Sequence, residues 1–515
     1  MNRLQEARPV WIAAVLVTLL LTAAPAALAA GPKVSGQTSG CLGCHESATP
    51  GIVADWRASR HSHVSPKEAL DKPALERRIS SEPPGDLKDT VVGCYECHGL
   101  NTERHRDSFD HFGYRIMVVV SPADCATCHK TEADQYAGSK KAHAVGNLRD
   151  NPLYFSLVQS ITGAQHATRK GIESKEPSDH TMQDTCFSCH GTDVKAVGTK
   201  IVNTPDFGPV EVPHLTNWPN QGVGRLNPDG TMGACTSCHA RHAFSIEVAR
   251  KPYTCAQCHL EPDTPAWNVY AESKHGNIFL SKGAEWDYNA VPWTVGRDFT
   301  APTCASCHNS LIVRPDGVVS AERTHDFGAR LWVRLFGLPM SHPQPKHGDT
   351  TVIRNKDGQP LPTTFSGLPA SGYLISKDEQ GSRMRAMARI CGDCHSTDWT
   401  EAHLRRMHST ITEADAMVLE ATLLMQEAWK RGIADRANPF DEPLEKKWIK
   451  QWLFNANTTK YASAMSGAPD YTSFKYGWWG LSETLAEMRE KVYAGHNNKE
   501  EKKQEKKPKK DGKHK

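Results

Sequence analysis

Cys235-Thr-Ser-Cys-His239, followed closely by Cys255-Ala-Gln-Cys-His259, decides what this chain is built around. The five-residue pattern Cys-x-x-Cys-His attaches c-type haem: two thiols form thioethers with the vinyl groups, and the adjacent imidazole ligates iron. Working outward, the pattern recurs at Cys41, Cys44 and His45, at Cys94, Cys97 and His98, and at Cys125, Cys128 and His129. It returns at Cys186, Cys189 and His190, at Cys304, Cys307 and His308, and at Cys391, Cys394 and His395. With Cys235, Cys238 and His239 and Cys255, Cys258 and His259, eight copies consume all 16 cysteines. No cysteine remains for a disulfide or a separate zinc site, so the chain reads as an octahaem cytochrome c.

Compartment and composition agree with that reading. Arg3 and Arg8 precede an apolar run from Val10 to Ala24, and Ala27-Leu-Ala29 offers a small-residue cleavage site. Residues 1–29 are therefore expected to be a secretory signal that sends the chain to the periplasm, where cysteine pairs suit haem attachment. The hydrophobic content of 38% and mean hydropathy of −0.54 fit a chain that wraps porphyrin rather than building an aliphatic interior. The net charge of +3 is no nucleic-acid signal: residues 499–515 hold nine lysines against four acids, leaving the rest slightly acidic. Residues 496–515 are expected to be a lysine-rich disordered tail.

A mainly α fold with little strand is expected. Residues 30–410 form the octahaem-binding domain, in which Gly-, Pro-, Asn- and Asp-rich segments such as Asn203-Thr-Pro-Asp-Phe-Gly and Asn227-Pro-Asp-Gly read as loops between short helices. Residues 411–495 form a helical, haem-free C-terminal region. Thr412-Glu-Ala-Asp resembles a capping box, Met417, Ala421, Leu424 and Ala428 recur at helical spacing as packing surface, and Gly432 ends the helix. A second helix is expected over Ser482–Tyr493.

Seventeen histidines lie outside the motifs. His143 lies 14 residues after His129, His61 lies 16 after His45, His275 lies 16 after His259 and His325 lies 17 after His308. This offset predicts a repeated arrangement of motif, helix and distal ligand, each histidine serving a neighbouring haem. His242, three residues after His239, cannot bend back to its own haem and is expected to serve another. His111 completes the six distal candidates.

Several segments resemble the octahaem hydroxylamine oxidoreductases: Trp218-Pro-Asn-Gln-Gly-Val-Gly-Arg-Leu-Asn-Pro-Asp-Gly, Gly233-Ala-Cys-Thr-Ser-Cys-His-Ala-Arg-His-Ala-Phe-Ser, Glu272-Ser-Lys-His-Gly, Ala301-Pro-Thr-Cys-Ala-Ser-Cys-His and Ala468-Pro-Asp-Tyr-Thr. The likeness runs from Cys41 to about residue 490 and includes Cys125–His143. It implies a mainly α-helical homotrimer whose fourth haem, at Cys186, Cys189 and His190, is open to a small inorganic nitrogen substrate. It also implies a tyrosine from a neighbouring subunit bonded to that porphyrin. Tyr471 is the best match, with Tyr476 as its alternative. Where the family carries an Asp-His pair after the sixth motif, this chain has Asp263-Thr264: the carboxylate that would take protons is kept and the imidazole is not. No motif ends in Lys, the mark of several nitrite-reducing multihaem cytochromes.

Three functions follow as expectations. The first is oxidation of hydroxylamine or a related nitrogen compound, with Asp263 and Tyr471 as catalytic residues and electrons leaving through seven other haems to an external cytochrome c. The second is reduction of nitrite or hydroxylamine without the cross-link. The third is an electron conduit with no catalytic site.

Overall fold

The computed structural model describes residues 33–169, 172–205, 207–465 and 468–505, with side chains to residue 494. The expected signal segment and residues 506–515 of the expected tail lie outside the described residues. The fold is 46% helical and 12% strand.

Short helices carry the haem motifs, and helix geometry explains why. Positions i, i+3 and i+4 share one face of a helix. Winding Cys94–His98, Cys186–His190 and Cys304–His308 into single turns therefore brings two sulfurs and one imidazole out on the same side. The first motif sits in the helix Gly36–Ala48, and the eighth closes the helix Lys377–Cys391.

Helices do follow the first, third and sixth motifs, at Pro50–Ala58, Lys130–Ala137 and Ala266–Glu272. The fourth instance differs. After His308 the chain forms two short antiparallel strands, Ile312–Val313 and Val319–Ala321, around Gly317 at φ +85°. A β-branched pair on each side of Pro315-Asp-Gly317 is a hairpin signal, and it outweighs the spacing analogy. A second correction concerns Asn203-Thr-Pro-Asp-Phe-Gly. It joins no helices: it is the turn of a long antiparallel ribbon, Lys195–Thr204 with Gly208–Thr216, in which Val202 pairs with Val210 and Lys200 with Val212.

The C-terminal region is helical, but its boundary is not at residue 411. One helix of 34 residues runs from Thr397 to Lys430, started by Ser396, whose hydroxyl accepts from Trp399 N–H at 3.3 Å. Thr412 lies in its middle and donates its hydroxyl to the His408 carbonyl, the back-bond a threonine makes inside a helix, so it caps nothing. Gly432, at φ +68°, does end the helix. Ala414, Val418, Ala421, Met425 and Ala428 face Trp448, Trp452, Leu481, Met488 and Val492. Leu338, Leu361 and Phe365 from the middle of the chain join this core, so the region is no separate unit. The last helix, Trp478–Glu505, is longer than the expected Ser482–Tyr493 and continues into the lysine-rich segment.

One buried charge cluster sits beside the second and third motifs. The His105 imidazole, with no exposed side-chain surface, lies 3.3 Å from Asp107, 3.2 Å from Asp124 and 3.9 Å from Asp229. Burial would depress the imidazole, but Asp107 and Asp124, with the charge of Asp229, overcome it and push it up to about 10. This stabilisation is fully present below the ordinary histidine range and is lost as pH climbs through about 10. Replacing His105 with Gln leaves three carboxylates without their cation. It should cost about 3–5 kcal/mol, read by chemical unfolding of the holoprotein at neutral pH, and the difference from the parent should shrink above about pH 10.

Candidate functional site

A continuous cavity of about 2190 Å³ runs through the molecule, against roughly 300–1,000 Å³ for an ordinary ligand pocket. All eight motif histidines and every motif cysteine except Cys44 line it. Its histidines are set in opposed pairs. Ring centres are 6.1 Å apart for His45 and His111, 6.3 Å for His61 and His129, 6.4 Å for His239 and His325, and 6.1 Å for His275 and His395. Two imidazoles bound to one metal at about 2 Å each hold their centres about 6 Å apart, so these spacings fit iron of a haem between the rings. A fifth pair, His242 and His98, is close enough to interact electrostatically. Each pair joins a motif to a histidine that follows a different motif.

The protonation states suit ligation. Burial pushes His61, His129, His239, His259, His308 and His325 below the usual histidine range, which favours the neutral form that binds metal. Backbone groups orient the motif rings: His98 Nδ1 donates to the Met117 carbonyl at 2.8 Å, and His190 Nδ1 to the Ala144 carbonyl at 3.2 Å. That leaves each Nε2 directed into the cavity.

His143 is a correction. Its Nε2 donates to the Ala137 carbonyl at 3.1 Å, and its ring packs against Gly348 outside the cavity. Of Ser139-Lys-Lys-Ala-His, Ser139, Lys140 and Lys141 line the cavity, and the Lys141 Nζ lies 3.5 Å from His259 Nε2. Lysine is ordinarily a surface residue, and nothing in its spacing marks it.

The fourth motif is pinned by a backbone crossing. Gly222-Val-Gly-Arg225 docks on it, with Val223 N–H donating to Cys189 O at 2.9 Å and Gly224 N–H to His190 O at 3.1 Å. A Cβ on Gly191, at φ +102°, would stand 2.3 Å from Arg225 N, and one on Gly222 would stand 2.2 Å from Gly191 N. Asp263 lies near the fourth motif: its charge acts on His190, Cys186 and Cys189, and burial raises its carboxyl above the ordinary range. Arg334 also acts on His190, and Tyr461, pushed up to about 12 by burial, feels both Arg334 and Asp263. Lys140, brought down to about 8 by burial and then by Arg334, stands behind. Arg334 and Tyr461 carry no sequence signal, because they belong to segments without motifs, and Lys140 lies inside the Cys125–His143 stretch but nothing in its spacing marks it.

Tyr471 stands apart from the fourth motif. It is 3% exposed, packs with Val269, Ala462 and Ala468, donates its hydroxyl to Glu261 and does not line the cavity. A ring held in its own chain's core is not presented to a neighbour's porphyrin. Tyr476 is 41% exposed and also lies off the cavity.

Sulfur contacts give the order of the stations. Cys41 meets Cys94, Cys97 is near Cys128, Cys125 meets Cys235, and Cys238 is near Cys255. Cys255 then meets Cys304, and Cys307 is near Cys391. The motifs thus follow one another as first, second, third, fifth, sixth, seventh and eighth. The fourth stands to one side, joined to the sixth where Cys189 meets Cys258.

Comparison with known proteins agrees with this architecture. Residues 229–314 match the family described as "Seven times multi-haem cytochrome CxxCH", and residues 124–208 the one described as "Cytochrome c554 and c-prime". A solved structure described as a hypothetical multiheme protein is 43% identical, with 91% of this chain and 97% of that chain covered and a TM-score of 0.85. The chain belongs to the multihaem c-type cytochromes. It is also 24% identical, over 426 residues, to a probable nitrite reductase-hydroxylamine oxidoreductase fusion protein of Kuenenia stuttgartiensis. That match takes in 79% of this chain and spans only 39% of the fusion protein's length. A reducing HAO-like protein complex of the same organism shares the fold, at 18% identity, coverage of 91% and 87%, and a TM-score of 0.58.

The opposed rings and the outward His143 make contrasting predictions. His275→Ala should convert one six-coordinate haem to a high-spin centre in low-temperature EPR of the holoprotein. His143→Ala should leave the number of low-spin haems unchanged.

Proposed function

We propose that the chain is a periplasmic octahaem oxidoreductase that reduces a small nitrogen oxyanion, nitrite above all, at the fourth haem. His61, His111, His242, His275 and His325 serve as second ligands to the haems of His129, His45, His98, His395 and His239, and Lys141 serves the haem of His259. The observation that carries the reading is the set of charges acting on His190, Asp263 first and then the cations Arg334 and Lys141: with the raised Asp263 carboxyl carrying its proton, the two cations favour an anion over neutral hydroxylamine. The bond of the Tyr471 hydroxyl to Glu261 of its own chain supports a reading that uses no cross-link. The leader-like residues 1–29 support the periplasm, and the names of the Kuenenia proteins support nitrogen chemistry.

When bound, the haem supplies an iron that takes substrate nitrogen and exchanges electrons with it. Arg334 holds substrate oxygen by charge-assisted hydrogen bonds. Asp263, kept protonated to higher pH by burial, delivers protons to that oxygen as electrons arrive. The Tyr461 hydroxyl is a further donor that stays neutral throughout the working range. Ionised Asp263 could instead take protons, which is the observation favouring hydroxylamine oxidation as the second reading.

Reductant-driven nitrite consumption and hydroxylamine-dependent cytochrome reduction, measured on one preparation, separate the two. Because the Asp263 carboxyl is raised, its donor form is present below its pKa and vanishes above it, so nitrite reduction should fall with rising pH. Asp263→Asn should lower kcat by about 10²-fold or more and remove that fall. Arg334→Gln should act chiefly on KM, raising it about tenfold, as loss of a charge-assisted hydrogen bond of roughly 1.5 kcal/mol would. Hydroxylamine oxidation without nitrite consumption would overturn the reductive reading.

A further inference from the structure

The sulfur relay has two ends, and both reach the surface: Cys44 of the first motif and Cys394 of the eighth are the cysteines that stand exposed. The surroundings of the two ends differ. Asp393, Arg314 and Asp316 make the eighth-motif end charged. At the first-motif end an aromatic patch lies beside the histidine that faces His45.

Phe112 is the centre of that patch. It sits with Gly113 at the tip of the hairpin Ser108–His111 and Tyr114–Met117, at φ +51° and +85°. Two successive left-handed positions make the turn that Asn-Gly adopts most readily, and a bulky aromatic in the first is strained. The ring is also 67% exposed, so no burial offsets that strain. Its contacts are edge-on: 4.8 Å to His111 and 6.3 Å to Phe207 at the tip of the long ribbon. Phe207 and Ile52 are each 43% exposed, and Ile52 lines the cavity together with His45 and His111.

We propose that Phe112, Phe207 and Ile52 form the docking surface for a one-electron carrier protein that exchanges electrons with the first haem. A strained, exposed ring in contact with the second ligand of a terminal haem is placed for function rather than stability. Three apolar side chains are too few for a permanent dimer, whose interfaces bury about 2,000 Å² or more, but suit the small, short-lived contacts of electron-transfer partners. Charges of both signs flank the ring on its own hairpin, where Asp110 pairs with Arg115, so the contact is apolar at its centre and weakly steered. This port does not depend on which substrate the fourth haem takes.

The test uses full-length holoprotein and a small monohaem cytochrome c as the carrier, mixed by stopped flow. Phe112→Asn suits the backbone of the turn and removes the ring. It should slow electron exchange with the cytochrome by about tenfold, within the one to three decades that mutations of one interface span. Reduction of the eight haems by dithionite should stay unchanged, and Tm should hold or rise. Phe207→Ser should slow the same exchange without altering the hairpin that carries His111. Equal rates for parent and variants, including no exchange by any of them, would overturn the proposal. So would a change of sedimentation from dimer to monomer at unchanged rates, which would make the patch a contact between two copies of this chain.

Discussion

Opposed imidazoles are the constraint on which the rest of the structure depends. His45 faces His111, His61 faces His129, His239 faces His325 and His275 faces His395, each across the gap one iron requires. Every pair ties together stretches of chain that short local contacts could not bring together. The pairs run through one another, so no motif region can close by itself. With burial pushing His61, His129, His239 and His325 toward the neutral form and a cavity of about 2190 Å³ between the rings, this half of the molecule has its packing supplied by its cofactors.

The other half is held by ordinary means. Trp448, Trp452, Phe440 and the small residues of the long helix make a close-packed apolar core. That helix serves both halves: Trp399, His403 and Met407 line the cavity, and Ala414 to Ala428 face the core. The ring of Trp399 lies 3.8 Å from that of His395, so the eighth motif is stacked on the helix that anchors the apolar region. Cofactor loading and C-terminal packing are mechanically linked through this one element.

The sequence was informative where chemistry fixes spacing. The two cysteines and the histidine of each motif must share one helical face, so the attachment motifs were legible. His61 and His275, each 16 residues after a motif histidine, stand opposite the histidines of other motifs, since the helices between carry them away from their own. His143 has a shorter offset, 14 residues, and its ring bonds to the Ala137 carbonyl instead of lining the cavity, where Lys141 stands. The ribbon around residue 206 was missed because Gly-, Pro- and Asp-rich turns look alike whether they join helices or strands. The long helix was started too late because Thr412 resembles a cap by composition while its hydroxyl bonds backward. Arg334 and Tyr461 could not be found at all: they reach the fourth motif through tertiary folding, and no local pattern records that.

The fourth motif hangs from the sixth rather than standing in the line. A reaction centre placed in series would interrupt the current each time a substrate bound. On the proposed function, a spur would leave the through path intact, and the remaining centres would act as a charge reservoir with its tap at the sixth. A molecule filled in advance would deliver several electrons to one bound substrate in quick succession. It would need no partner between steps, and half-converted nitrogen species would have little time to escape.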